Sequence, residues 1–186
     1  MLHRSCRASV ILSLLLATHA QSEPASFRSY SLTPHGVLTV AVPSSWNDQM
    51  RQPAANMPPT ILFTPEHGYD FNVQVTPIWP TKPDAVVPTL EIIAQEVRKA
   101  ADDAKANSVE STVLLHEIHG SSGDGYYFSV MDRGAKPEEF KYMTQGMVRV
   151  GYLMMTFTIV SSDKSGTVVK NALTMLQSAR QEFPDP

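Results

Sequence analysis

The residues with the greatest capacity for chemistry are His116-Glu117-Ile118-His119. A helical zinc-protease motif needs its two histidines four residues apart, so that both point from one face. Here they are three apart, in a segment that reads as strand. A period of two places Glu117 and His119 on one face and His116 on the other. A second group, Glu66-His67-Gly68-Tyr69-Asp70, brings three possible ligands to a strand turn. Gly and Asp are also what turns select for their geometry. The candidate metal or carboxylate residues are thus Glu66, His67, Glu117 and His119, and they form one site only if the two segments meet in space.

Other signatures are missing. There is no Gly-x-Ser-x-Gly elbow to present a nucleophilic serine. Gly120-Ser121-Ser122-Gly123-Asp124-Gly125 has the composition of a phosphate loop, but it lacks the lysine and does not lead into a helix. A flexible hairpin explains it better. Asp132-Arg133 offers an ion pair at a strand end, worth little if exposed. No cofactor is expected.

The aromatic residues suit binding better than catalysis. Trp46 and Trp79 end strands near loops, and Tyr126, Tyr127 and Tyr152 belong to neighbouring hairpins. Trp and Tyr are enriched where interfaces bury most energy, and they are equally ordinary core residues. For Trp46 the core is the favoured place. Met143, Met147 and Met154 either line an adaptable apolar surface or fill gaps under a helix.

The first twenty residues differ from the rest. Arg4 and Arg7 give a positive start, residues 8–17 are uncharged and apolar, and Thr18-His19-Ala20 supplies small residues before Gln21. That is the pattern of a secretory signal peptide. A membrane anchor needs ~20 apolar residues, about twice this run. Cleavage is expected after Ala20, leaving a soluble protein with no integral membrane segment, periplasmic or secreted. The single cysteine, Cys6, precedes the apolar run, so the chain does not read as a lipoprotein. It departs with the leader, and thiol catalysis and disulfides depart with it. The leader holds two of the 15 basic residues and none of the 18 acidic ones, so the net charge moves from −3 to −5. A nucleic-acid partner, which needs clustered Lys and Arg, is not expected.

These residues must be positioned by a scaffold, and its elements are readable. After a lead-in over 21–26, strands are expected at Phe27–Leu32 and Gly36–Val42, with Pro43 ending the second. Polar and proline-rich residues 47–59 read as a loop. Strands follow at Thr60–Thr64 and Tyr69–Trp79, and Pro77, Pro80, Pro83 and Pro88 lead to a helix over Pro88–Ala106. There Leu90, Ile93, Val97, Ala101 and Ala104 form one apolar stripe. Four strands, Val109–His119, Gly125–Asp132, Glu139–Arg149 and Tyr152–Ser161, have connections short enough for antiparallel hairpins. Alternation in the last predicts a sheet covered on one face and half covered on the other. A closing helix is expected over Ser165–Phe183. Strands, helix, strands, helix is the order of an α+β protein, one domain over 27–183 with an antiparallel sheet of six to eight strands and two main helices.

Val42-Pro43-Ser44-Ser45-Trp46 resembles the strand-to-"P-x-x-W" step that opens domains of the PsbP-like (Mog/PsbP) superfamily. The proline-rich approach to one long helix, the Gly125-Tyr126-Tyr127-Phe128 strand, the hairpin ending in Met155-Thr156-Phe157-Thr158 and the closing helix are similar too. The resemblance covers residues 27–183 and implies an α-β-α sandwich. It also implies a binding or assembly role and no enzymatic activity, without assigning a residue to either. The expectation is an exported, non-enzymatic binding or accessory protein of the cell envelope, whose partner is an envelope protein or a small ligand. The alternatives are a metal- or carboxylate-dependent periplasmic hydrolase, and a carrier of a small apolar ligand or peptide.

Overall fold

A computed structural model describes residues 23–52, 57–81 and 86–183. The expected leader, its cleavage point and Cys6 lie outside them.

The described chain builds ten strands and two helices in two sheets. Strands β1 (Ala25–Ser31), β2 (Val37–Pro43) and β10 (Arg180–Glu182) form a small sheet in the order β1-β2-β10. The larger sheet has seven strands: β3 (Trp46–Arg51), β4 (Thr60–Pro65), β5 (Phe71–Ile78), β6 (His116–Gly120), β7 (Gly123–Met131), β8 (Tyr142–Val150) and β9 (Leu153–Ser161). Its order is β3-β4-β5-β9-β8-β7-β6, antiparallel throughout. Helix α1 (Leu90–Lys105) packs on one face, over β7 and β8. Helix α2 (Thr167–Gln177) and the small sheet cover the other. The architecture is the expected α+β sandwich around an antiparallel sheet.

The alternation that defines the strands also sorts the two cores. Val73 and Val75 of β5, Met155, Phe157 and Ile159 of β9, and Ile61 and Phe63 of β4 all point toward α2 and the small sheet. They meet Leu38, Val40, Val42, Met175 and Leu176 there. A smaller cluster lies beneath α1, where Ile93, Val97 and Ala101 press on Phe128, Val130 and Met154. Met143 and Met147 pack against the same cluster, so the methionines fill space under a helix. The Thr89 hydroxyl caps α1 by accepting from the Ile92 N–H at 3.4 Å. In α2 the cap comes from outside the first turn: Asp163 accepts from the Val168 N–H at 3.1 Å.

Four expectations need correction. Residues 46–51 form strand β3, in register with β4 from Trp46↔Pro65 to Arg51↔Thr60. It is an edge strand exposed along both faces after Trp46, so it carries no alternation. Val109–Leu115 lies outside any strand. Its Val113 is buried, and the Val113 carbonyl accepts from Arg98 of α1 at 2.8 Å, which draws the segment to the helix instead of a ladder. The last helix stops at Gln177. Ser178 Oγ donates to the Met175 carbonyl and accepts from the Ala41 N–H, turning the chain onto β2 as β10. Pro77, expected to help break the sheet, stays inside β5 opposite Met155.

A polar junction ties the sheets together. Tyr30 on β1 donates its hydroxyl to Asp48 Oδ2 on β3 at 2.8 Å. Arg28 pairs with the other carboxylate oxygen and donates to the Trp46 carbonyl at 2.7 Å. Burial, reinforced by the bond to Asp48, pushes the Tyr30 phenol well above its ordinary value, so the hydroxyl keeps its proton.

Candidate binding face

Helix α1 covers only part of its sheet face. Beneath it lie β7, β8 and Met154 of β9. On the remainder, register defines cross-strand rows of side chains facing the same way. One row runs Leu62–Gln74–Thr158–Gln145 across β4, β5, β9 and β8. Beside it, Thr76 lies opposite Thr156, and the Thr60 and Thr76 hydroxyls are 2.9 Å apart. On the other side Asn72 lies opposite Val160, with Thr64 on the neighbouring strand. All ten of these side chains are partly or fully exposed, and none is charged. The edge strand β3 continues the same face with Asn47, Gln49 and Arg51, in register with Thr64, Leu62 and Thr60, so a charge, Arg51 bonded to Gln49, stands at its outer edge. An ordinary surface would carry about three charges in ten positions. The predicted half-covered sheet is present, and its open half is a continuous field of hydroxyls and amides.

Its rim is apolar and aromatic at one end. Tyr69, 79% exposed in the β4–β5 turn, lies nearly parallel to Phe140 with ring centroids 6.4 Å apart. Phe140 and Val160, with Met143, Ala104 and the charged Asp132 and Lys141, line a cavity of about 250 Å³ between this end of the face and the end of α1. Neither Tyr69 nor Phe140 stood out in the sequence. In sequence Tyr69 sits where a turn meets the start of an expected strand, and only the approach of the β4–β5 turn to Phe140 gives it a neighbour.

The expected site residues are spread over the molecule. Trp46 is a core residue at 4% exposure, tilted against Phe71 at 4.5 Å, the place favoured for it, and it leaves the candidate binding residues. Trp79 is half-buried and stacks on His35 at 4.2 Å. Tyr126 and Tyr127 are neighbours on β7 and so face opposite ways: Tyr126 packs toward α1, Tyr127 toward the larger core and His116. Tyr152 is exposed beside Phe183, and its N–H is bonded by Gln181, whose amide also donates to the His35 carbonyl. Trp79 and Tyr152 therefore share one end of the sandwich, away from Tyr69.

The histidine–carboxylate residues separate in the same way. As the period-two reading required, Glu117 and His119 lie on one face and His116 on the other. His119 Nε2 is 3.3 Å from Glu117 and Nδ1 is 3.2 Å from Asp124, all three side chains being at least half exposed. Tyr126 donates to the same Glu117 at 3.4 Å. Glu66 and His67 are in the β4–β5 turn, beside the Phe71↔Ser161 end of the sheet. His119 is in register with Asp124, at the end where β8 turns into β9. The two pairs occupy opposite ends and do not meet, and no group of three His, Cys, Asp or Glu residues placed to hold a metal occurs among the described residues. Asp132 and Arg133 do not pair either: Asp132 accepts from Gly134 N–H, and Arg133 donates to the Ser108 carbonyl at 2.6 Å.

No family model and no curated protein matches this sequence. Solved structures do. A protein from Bacteroides thetaiotaomicron VPI-5482 superposes with a TM-score of 0.53 at 14% identity, over 79% of this chain. The match spans 46% of that protein, somewhat under half its length. Cyanobacterial PsbP (CyanoP) from Synechocystis sp. PCC 6803 superposes with a TM-score of 0.53 at 17% identity, over 90% of this chain and 99% of that one. With near-complete coverage in both directions, the fold of this chain is PsbP-like.

Proposed function

We propose that this chain is an exported, non-enzymatic binding or accessory protein of the cell envelope, and that it docks through the open half of the α1-side sheet face. The observation that carries the reading is the uncharged, solvent-facing field centred on the Leu62–Gln74–Thr158–Gln145 row. Leaving a sheet face bare, with Arg51 at its β3 edge and no charge among the ten positions inward of it, does nothing for solubility, which charge serves. It makes sense as a surface that must lose its water when a ligand arrives, because desolvating a hydroxyl or amide costs far less than desolvating an ion. The separation of Glu66 and His67 from Glu117 and His119 gives a hydrolase no common centre, and supports binding over catalysis. Export rests on the leader of Arg4, Arg7, the apolar run and Ala20. In keeping with it, no helix among the described residues is long and apolar enough to cross a membrane.

The test is a charge insertion. Gln74→Glu and Lys99→Glu each alter an exposed side chain, one on the open face and one on the solvent side of α1. Retention of the tagged protein on washed envelope fractions should fall at least tenfold for Gln74→Glu and stay level for Lys99→Glu. Equal retention of both variants would remove the open face as the docking surface.

A further inference from the structure

The chemistry of the open face also narrows what it would hold. Protein partners are recognised mainly through apolar and aromatic anchors that fill pockets at the centre of an interface. The centre of this face has no such anchor: Gln74, Thr76, Thr156 and Thr158 occupy it, and Leu62 and Val160 lie to its sides. Charge is scarce as well: the ten positions carry none, and Arg51 stands at the β3 edge, bonded to Gln49, away from the central row. What the face offers is hydroxyls that both donate and accept, and primary amides that do both through separate atoms. These match a ligand whose own groups are neutral hydroxyls.

The rim adds a second, independent feature. Tyr69 presents most of its ring to solvent, held nearly parallel to Phe140, at the end of the same face where Val160 emerges. An exposed aromatic face carries negative quadrupolar density. The C–H edge of a sugar ring, slightly positive and apolar, complements it, while the sugar's equatorial hydroxyls remain free for the Thr and Gln side chains. An aromatic platform bordering a hydroxyl–amide field is thus a surface for a polyhydroxylated chain running along the strands, from Tyr69 at the end of the face to the central row.

We infer that the open face binds a neutral polysaccharide or oligosaccharide, with a sugar ring on Tyr69 and hydroxyls bonded by the Gln74–Thr158–Gln145 row. This rests on the docking role proposed for the same face and specifies its ligand.

Affinity electrophoresis tests it with the chain lacking residues 1–20, run through gels containing dextran, galactomannan, laminarin or hydroxyethyl cellulose, and through gels containing anionic polygalacturonate. At least one neutral glycan should retard the protein, and polygalacturonate should not. Tyr69→Ala and Gln74→Glu alter exposed side chains, and circular dichroism checks that each is folded. Both should weaken the retardation at least tenfold, while Lys99→Glu leaves it unchanged. Absence of retardation by all four neutral glycans overturns the inference, as does retardation that survives both face variants. Should the glycans fail while Gln74→Glu still abolishes envelope retention, the docking role stands and the glycan ligand is lost. Should both fail, the face itself is excluded.

Discussion

Removing the Tyr30 hydroxyl isolates one bond that holds the two sheets together. Tyr30→Phe keeps the ring, its buried position and its edge-on contact with Phe63 at 6.2 Å, and deletes only the 2.8 Å bond to Asp48. A hydrogen bond to a charged partner contributes roughly 1.5–3 kcal/mol. Asp48 keeps Arg28, and its side chain is 24% exposed, so water replaces the lost donor and the low end applies. The expected loss is ~1.5 kcal/mol, or about 3–6 °C in Tm for a domain of this size. The pH dependence gives a sharper signature. In the fold, burial and the Asp48 bond raise the Tyr30 value above that of the unfolded chain. A group raised in this way contributes fully below its unfolded value, near pH 10, and its contribution fades as pH rises beyond it. Above that point the unfolded phenol ionises while the folded one stays protonated, so wild type loses up to ~1.4 kcal/mol per pH unit relative to the variant. The advantage of wild type over Tyr30→Phe should be constant from pH 7 to 9 and gone near pH 11. Urea titrations of both proteins at half-unit intervals measure it. A gap below 0.5 kcal/mol at pH 8, or one that persists unchanged to pH 11, would refute the account of this junction; both figures follow from the bond and linkage magnitudes used above, about 1.5 and 1.4 kcal/mol.

Other sites give further expectations. Asp163→Ala removes the acceptor that serves Ser165 and the Val168 N–H, costing about 1 kcal/mol at neutral pH. The Ser165 bond leads in holding the Asp163 carboxyl below its usual value, so the stabilisation is present above about pH 4 and lost as acid titrates the folded carboxylate. Denaturant midpoints for the two proteins should therefore converge toward pH 2, and a constant difference would count against the cap. Gly146→Ala places a methyl against the Tyr126 carbonyl oxygen and 2.6 Å from both Phe157 Cζ and Tyr127 Cβ. That overpacking should cost at least about 2 kcal/mol by calorimetry, and a neutral result would mean that the β7 backbone at Tyr126 yields as well as the Phe157 ring. Val97→Ala opens space under α1 against Phe128 and Val130, with an expected loss of about 2 kcal/mol. A loss under 0.5 kcal/mol would show that α1 is loosely seated, being far below the range for emptying a core site.

The sequence was informative wherever burial is one-sided. Leu90, Ile93, Val97 and Ala101 recur at helical spacing because only one side of α1 meets the sheet, and its boundaries were legible to within two residues. The alternation in β9 likewise foretold a polar-leaning second face through Thr156 and Thr158. Elements lacking such asymmetry were illegible. Strand β3 is exposed on both faces, and β10 is three residues long, held by Gln181 and by pairing to β2. Val109–Leu115 looked like strand because it is rich in β-branched and apolar residues, yet Arg98 and the underside of α1 claim it. The candidate face was half legible. Its threonines were visible along β9, but the row joining Leu62, Gln74, Thr158 and Gln145 depends on pairings between strands that are distant in sequence. Tyr69 could not be told from an ordinary turn residue, since nothing local reports that Phe140, some seventy positions away, lies beside it. Trp46 took the core place favoured for it, against Phe71, although a tryptophan at a strand end looks the same in sequence whether it meets a partner or the core.

The claim that the open face meets a ligand is tested most directly by site-specific photo-crosslinking in intact envelopes. A diazirine side chain inserted at position 74, 158 or 145 samples the central row, and one at position 99 or 102 samples the solvent side of α1. Diazirines insert into C–H and O–H bonds, so the readout, a mass shift of the protein, does not presuppose what the ligand is. The account predicts adducts from positions 74, 158 and 145 and none from 99 or 102. Adducts confined to α1, or none from the sheet row, would contradict it.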